Sequence, residues 1–489
     1  MKRVWIGLTT LALTACAATQ APSGESVATN APAAEAAPFV APKPKAEGPA
    51  FNLPEYEVVT LSNGLTLYLM ARHQVPIITA SAVVRAGAVN DSEPGMAALT
   101  AEGLLLGTTT TNKVVLEQAI ESLGADLQAY SGKEGTTLNG RFLAKDMETM
   151  LPLMAEVLTQ PRFPSGEVKK ARDRYVAQLA QQKEQPRAVV GSYFDSLFYG
   201  SHPYANAAMG EAESVSVLDA FDLKMFHGSW YQPGNTALVV VGDFDRDEML
   251  ALVERSFGRW RDNDTPTPPD LTQPVSTPEQ ARVLLVNKSD ARETTFMIGG
   301  PGIPRTDPDY VGLQVVNTVL GGRFTSWLND ELRVNAGLTY GARSRFSTLG
   351  QHGSFVISTF TATETTKEAV DLALTTYRRL WTQGLDQATL DSAKAYVKGQ
   401  FPPRFETSDQ LAGLLSQMHL YGLGPEQINA FQAEVDGLTL DKAQALIERH
   451  FPKDNLQFVM VGKAEAIRPI AERYGQVEQV EITDSGFQF

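Results

Sequence analysis

The chain has 489 residues, of which 43% are hydrophobic, and carries a formal net charge of -14 at pH 7 with a sequence pI near 5.0. That acidic balance argues against a nucleic-acid partner, because phosphate binding needs a basic face. The single cysteine, Cys16, excludes an intramolecular disulfide and a CxxC metal or redox site.

Lys2 and Arg3 open the chain, and an apolar run over 4–13 ends in Leu13, Thr14, Ala15 and Cys16. The run is shorter than the about 20 residues a membrane-spanning helix needs, so 1–15 reads as an export signal. Cys16, after a leucine, a small polar residue and an alanine, is similar to the lipobox of bacterial lipoproteins, which implies lipidation there. With Ala17 beside it and no aspartate, the same resemblance implies an outer-membrane lipoprotein whose body faces the periplasm, touching the membrane through lipid only. Residues 16–50 are mostly Ala and Pro, with Val27, Phe39 and Val40 the only large apolar side chains. They read as a flexible tether.

From 56 to 69 the run YEVVTLSNGLTLYL gives two alternating strands turned at Asn63-Gly64. IITASAVVRA (77–86) is a further strand. Residues 95–106 are apolar at helical spacing with no internal proline, which predicts a mostly buried helix. A second helix is expected over 112–123, with Gly124 at its C-terminal cap. Strand patterns at 126–130 and 135–142 precede helices over 146–159 and 165–183, which Pro161, Pro164 and Pro186 bound. TALVVV (236–241) closes this half, followed by a helix around 246–257.

A similar order recurs after the Pro/Thr-rich stretch 266–278. Strands at 282–287 and 293–298 lead through a turn at 299–309 to a helix at 310–320, and Gly321-Gly322 breaks the chain. A short helix (324–334), strands at 338–346 and 353–361, and helices at 365–380 and 386–398 precede the closing strand QFVMV (457–461). LVVVGD (238–243) and FVMVGK (458–463) mark one plan used twice. The expected fold class is α+β: two similar lobes, each a mostly antiparallel sheet with helices packed on one face, enclosing a cleft. The expected domain order is signal 1–15, tether 16–50, first lobe 51–265, linker 266–278 and second lobe 279–489.

Six runs together carry a family likeness: LSNGLTLYL (61–69), VRAGAVND (84–91), GMAALTAEGLLLGTTT (95–110), YGSHPYANAAMG (199–210), GGPGIPRTDPDY (299–310) and ELRVNAGLTYGA (331–342). They resemble the insulinase/pitrilysin (M16) family of zinc metallopeptidases, in particular two-domain subunits like those of mitochondrial processing peptidase and bacterial homologues. The resemblance implies that the helix starting at Gly95 is the one on which active members carry an inverted zinc motif, HxxEH. There two histidines bind zinc from one helical face and the glutamate polarises the attacking water. In this chain Ala98 and Glu102 stand at the histidine positions, Ala101 at the general-base position, and Gln178 at the position of the third ligand, a glutamate. Alanine offers no lone pair, neutral Gln178 is a weak ligand, and Glu102 alone cannot assemble three ligands and a water. No catalytic zinc is expected on this chain, which leaves it without a cofactor of its own.

Arg333 and Tyr340 match a family pair that reaches across the cleft from the C-terminal domain to bind the substrate backbone near the scissile bond. A guanidinium offers a fixed fork of donors to peptide carbonyls, and a phenol can donate to an oxygen that gains negative charge. Gly337 is expected to turn the chain between them, Gly321 and Gly322 to let a loop approach substrate or helix, and Asn317 or Phe324 to line the cleft. The strand at 126–130 resembles the edge strand on which the family lays its peptide. His202, in HPY, reads as a structural part of its loop, and the other five histidines as surface or turn residues.

These features imply a zinc-less subunit of a heterodimeric periplasmic metallopeptidase, inactive alone. Its partner is a homologue bearing HxxEH and the zinc, and a peptide is the substrate. The alternative, of a different class, is a non-enzymatic peptide-binding or scaffolding lipoprotein of the outer membrane.

Overall fold

The computed structural model describes residues 51–489 except 264, 277 and 278. The export signal, Cys16 and the tether up to residue 50 lie outside the described residues, as does part of the 266–278 linker.

Among the described residues the strands form two six-stranded sheets. The first contains β1 (Glu57–Thr60), β2 (Thr66–Ala71), β3 (Ile77–Val84), β4 (Asp126–Ser131), β5 (Thr136–Leu143) and β6 (Thr236–Gly242), in the order β1-β2-β6-β3-β5-β4. The second contains β7 (Arg282–Asn287), β8 (Glu293–Pro301), β9 (Arg343–Thr348), β10 (Gly353–Ala362), β11 (Gln457–Gly462) and β12 (Gln476–Glu481), in the order β12-β7-β11-β8-β10-β9. Both are mixed and mostly antiparallel: β2 pairs parallel with β6, as β7 does with β11, and the strands beyond pair antiparallel. The match fails only at one edge. There β1 forms an antiparallel hairpin with β2, whereas β12 arrives from the chain's far end and runs parallel to β7.

The helices that position the site are α1 (Met96–Leu104), α2 (Lys113–Ser122), α3 (Met147–Thr159), α4 (Ser165–Lys183), α5 (Pro186–Tyr199), α6 (Ala212–Val217), α7 (Ala220–Trp230), α8 (Arg246–Phe257), α9 (Tyr310–Asn317), α10 (Trp327–Asn329), α11 (Thr366–Thr382), α12 (Gln387–Gln400) and α13 (Ser408–Tyr421). Capping fixes several ends. The Asn112 side chain accepts from Val115 N at 3.1 Å, and Gly124 leaves α2 at φ +61. Thr407 and Gln410 form a reciprocal capping box at the start of α13.

Helices cover both faces of each sheet, one face more than the sequence analysis expects. In β6, Leu238 and Val240 join the first lobe's own core, while Val239 and Val241 face the other way, where Leu411, Leu415 and Met418 of α13 lie. In β11, Phe458 and Met460 join the second lobe's core, while Val459 and Val461 face Val190, Phe194 and Leu197 of α5. Each half of the chain thus lends one helix to the back of the other half's sheet. Strands buried on both faces become continuous apolar runs, which is why LVVV and FVMV lack polar alternation. Each large apolar side chain so covered stabilises by roughly 1.5–3 kcal/mol. At Gly299 of β8 a Cβ would lie 2.8 Å from the Phe194 ring, so only glycine lets α5 approach this closely.

The sequence pattern assigns no element to 187–235 or 399–456, yet both stretches are largely helical and contain these exchanged helices. A polar clamp completes the junction. Lys133, in the β4–β5 turn, pairs with Asp195 of α5 at 2.8 Å and donates to the carbonyls of Tyr204 and Asn206. Glu134 accepts from Tyr204 Oη at 2.6 Å and from Gly350 N in the β9–β10 turn. Between that hairpin and α13 the lobes leave a cavity of about 360 Å3.

Candidate functional site

Helix α1 starts on the half-buried carboxylate of Asp91. Asp91 Oδ2 accepts from Gly95 N and Oδ1 from Ala97 N, each at 2.8 Å, while Gly95 takes φ +101. Burial outweighs these hydrogen bonds and pushes the Asp91 carboxyl up to about 7. The helix packs against α4, α7, β4 and β5.

On this frame Ala98 is half-buried, Ala101 fully buried, and Glu102 turns toward α4. There its carboxylate meets the guanidinium of Arg174. Arg174 stands one turn before Gln178, on the same helical face, and Gln178 itself is exposed. Beside them Tyr175 Oη donates to Met209 O at 2.9 Å. These residues do not fit a catalytic zinc ion: two positions have no donor atom, the third is engaged by a cation, and the fourth is a neutral amide. The sequence analysis missed Arg174, although its spacing four residues before Gln178 was available as a signal.

The second lobe places the other expected residues together. After α9 the chain forms a π-helical turn, Thr318–Gly322, and α10 continues into another, Asp330–Asn335. Such turns are rare and concentrate at functional sites. Arg333 sits on the second, its guanidinium 4.6 Å from the Phe324 ring centroid. Leu338 N donates back to Leu332 O at 2.8 Å, and Gly337 takes φ +64, so the chain turns there as expected. Tyr340 follows, 84% exposed, its ring near-parallel to Phe360, on which Arg187 of α5 also lies. Arg333 and Tyr340 line one pocket of about 530 Å3, whose other lining residues all fall between 321 and 396. Neither α1 nor α4 contributes to it.

Several expectations are corrected here. Residues 338–342 are irregular, and β9 begins only at Arg343. Gly321 lets its turn approach β9, where a Cβ would meet Ser344 N at 2.2 Å, and it lines the pocket together with Gly322. Asn317 is a structural bracket, donating to Ser344 O at 3.0 Å and accepting from Ser344 Oγ at 2.6 Å. Phe324, 64% exposed, does line the pocket.

His227 and His419, expected at the surface or in turns, are half-buried. His227 on α7 stacks on Tyr231 and bonds Leu158 O at 2.8 Å, and burial lowers it to about 4. His419 on α13 faces Tyr68 at the lobe junction, and burial with nearby Arg85 lowers it to about 4. His202 is buried in its loop, with Nδ1 accepting from Tyr204 N at 3.1 Å. Among the described residues one cluster has metal-ligand spacing: Asp307, Asp309 and His450. There Asp309 is already held by His450 at 2.7 Å and Arg449 at 3.1 Å. Strand β4 is the free edge of the first sheet, with Tyr130 60% exposed.

Comparison with known proteins agrees with this architecture. Residues 68–212 match the family model described as insulinase (peptidase family M16), and 218–397 the one described as peptidase M16 inactive domain. An uncharacterized zinc protease of Mycobacterium leprae is 26% identical over 79% of this chain and 87% of its own length. A protein of Helicobacter pylori named a non-peptidase homolog, YmxG, is 24% identical over 77% of this chain and 86% of its own. Among solved structures, a peptidase M16 inactive domain from Pseudomonas fluorescens is 26% identical, with a TM-score of 0.77 over 83% of this chain and 98% of that one. The first half of the periplasmic protease PqqL from Escherichia coli shares the fold at 17% identity, with a TM-score of 0.68 over 87% of this chain and 98% of that one. With matches running through both lobes and no histidine on α1, the chain belongs to peptidase family M16 as a homologue of the inactive type.

Proposed function

We propose that this chain is the zinc-less subunit of a heterodimeric metallopeptidase, lending Arg333 and Tyr340 to the site of a homologous partner that carries HxxEH and the zinc. One observation carries this reading: the histidine ligands and general base are missing from α1 and the glutamate ligand from α4, while half-buried Arg333 and exposed Tyr340 share a pocket that no residue of those helices lines. Within the described residues neither side chain has a hydrogen bond or an ion pair that would explain it structurally, and each rests only on an aromatic ring. In the complex the Arg333 fork holds carbonyls of the peptide substrate. The Tyr340 phenol donates to the oxygen that gains charge as water adds, a contribution of about 3 kcal/mol at the transition state. The resemblance of the residues around Cys16 to a lipobox supports an outer-membrane address for the pair, with the body in the periplasm.

The test is reconstitution with a homologue that carries HxxEH and binds zinc. Peptide hydrolysis should appear only in the mixture and fall about a hundredfold in Arg333→Ala and in Tyr340→Phe, with melting temperatures unchanged. Full rates in both variants would defeat the assignment. A second reading, a non-enzymatic peptide-binding or scaffolding lipoprotein, draws on the free edge of β4, which can add an extended peptide through main-chain hydrogen bonds. It is favoured if the protein purified from its native membrane brings no zinc-bearing homologue with it.

A further inference from the structure

The pocket that holds Arg333 and Tyr340 carries more positive charge than that pair requires. Arg323, Arg333, Arg343 and Arg345 all line it, and no aspartate or glutamate does. In a chain with 56 acidic and 42 basic residues, such a one-sided lining needs a reason. Among the described residues none of the four forms an ion pair, whereas Arg174, Arg187, Arg246, Arg255 and Arg379 all do.

Each guanidinium is presented differently. Arg323 donates to Ser392 Oγ at 2.9 Å, and its Nε is buried without a hydrogen-bond partner. Arg333 lies over Phe324. Arg343 and Arg345 are exposed, two residues apart on β9 and so on one face of it. The carboxylates nearest this group act only through space, Asp330 on Arg323 and Asp195 on Arg345, and Asp195 is committed to Lys133. Four like charges around one cavity repel each other unless an anion joins them, and the arginine fork suits carboxylates in particular. Strand β9 is the edge strand of the second sheet, and Asn317 and Gly321 cover its backbone at Ser344, so a peptide here is read by the side chains.

We propose that this pocket selects an acidic stretch of extended peptide. Arg323, Arg343 and Arg345 take its carboxylates, from Asp or Glu side chains or from a free chain end, while Arg333 and Tyr340 engage the backbone. The assignment rests on the reading of Arg333 and Tyr340 given above, and it is tested without the partner.

Fluorescence anisotropy of labelled peptides against the full-length chain decides it. The panel is an Asp/Glu-rich peptide with an amidated end, its Asn/Gln counterpart amidated, the same counterpart with a free carboxyl terminus, and a Lys-rich counterpart. The acidic peptide should bind about tenfold tighter than the amidated neutral one at about 50 mM salt, with the margin shrinking at about 300 mM. An advantage confined to the free-carboxyl peptide would assign the pocket to a chain end. The double variant Arg343→Gln/Arg345→Gln, altered at two exposed positions, should lose most of the margin and keep its melting temperature. Equal binding of acidic and neutral peptides, or an undiminished margin in the double variant, overturns the proposal. Because the isolated chain is measured, loss of partner-dependent hydrolysis would leave a positive binding result standing, and the reverse also holds.

Discussion

The carboxylate of Glu102 is held by the guanidinium of Arg174, so the position where the family places a zinc-binding histidine carries an ion pair whose cation is a side chain. A fixed positive charge there satisfies Glu102 and repels a metal ion.

Restoring ligands should therefore succeed only when Arg174 is removed. The triple variant Ala98→His/Glu102→His/Gln178→Glu recreates three donors and leaves buried Ala101 untouched. Adding Arg174→Ala to it should raise zinc affinity about tenfold, read by competition with a chromophoric chelator. Equal affinity with and without Arg174 would show that the guanidinium does not guard the position.

Asp91 and His227 should bend the pH profile of stability in opposite directions. The folded carboxyl of Asp91 titrates near 7, above the ordinary 3.8, so its contribution is full below about 4 and is lost as pH rises to about 7. The folded His227 titrates near 4, below the ordinary 6.5, so its contribution is present above about 6.5 and is lost as pH falls to about 4. Melting curves between pH 4 and 8 should then show Asp91→Asn gaining relative stability toward neutral pH, and His227→Gln gaining it toward acid. Parallel curves for wild type and both variants would contradict the burial of these groups.

The Lys133–Asp195 pair at the lobe junction should matter far more than surface pairs. Asp195→Ala leaves the Lys133 ammonium, whose side chain is only 17% exposed, without its counter-charge, which costs about 3 kcal/mol or more in urea denaturation. Glu57→Ala breaks the exposed pair with Arg246 and should leave the urea midpoint within error of wild type.

Exchange of α5 and α13 predicts that the halves depend on each other. Chain cleaved within 266–278 should stay together on size-exclusion chromatography and melt in one transition. A first half expressed alone leaves Met70, Val239 and Val241 bare, and a second half leaves Val459 and Val461 bare, so each should aggregate. Two soluble, independently melting halves would refute the exchange.

Local signals made much of this legible in advance. The Asn63-Gly64 turn, Asn112 with Gly124 around α2, and the repeated closing strands all depend on neighbours within a few residues, and each is found where the pattern puts it. The absence of a histidine at 98 and of a carboxylate at 101 and 178 likewise follows from side-chain identity alone. Residues 187–235 and 399–456 show no such local pattern: α5 and α13 face the other lobe's sheet and α7 packs on α1, so their apolar positions answer to distant partners. LVVV and FVMV contained the missing hint, since an unbroken apolar run means a strand covered on both faces.

The sequence by itself determined the chemistry this chain lacks and the repeat from which it is built, because donor atoms and short-range patterning belong to the residues themselves. Only the tertiary structure decided that Arg174 answers Glu102, that each half lends a helix to the other, and that four arginines with no carboxylate among them share one pocket with Tyr340. Those relationships join residues tens to hundreds of positions apart, and it is folding that brings their charges and apolar faces within reach of one another.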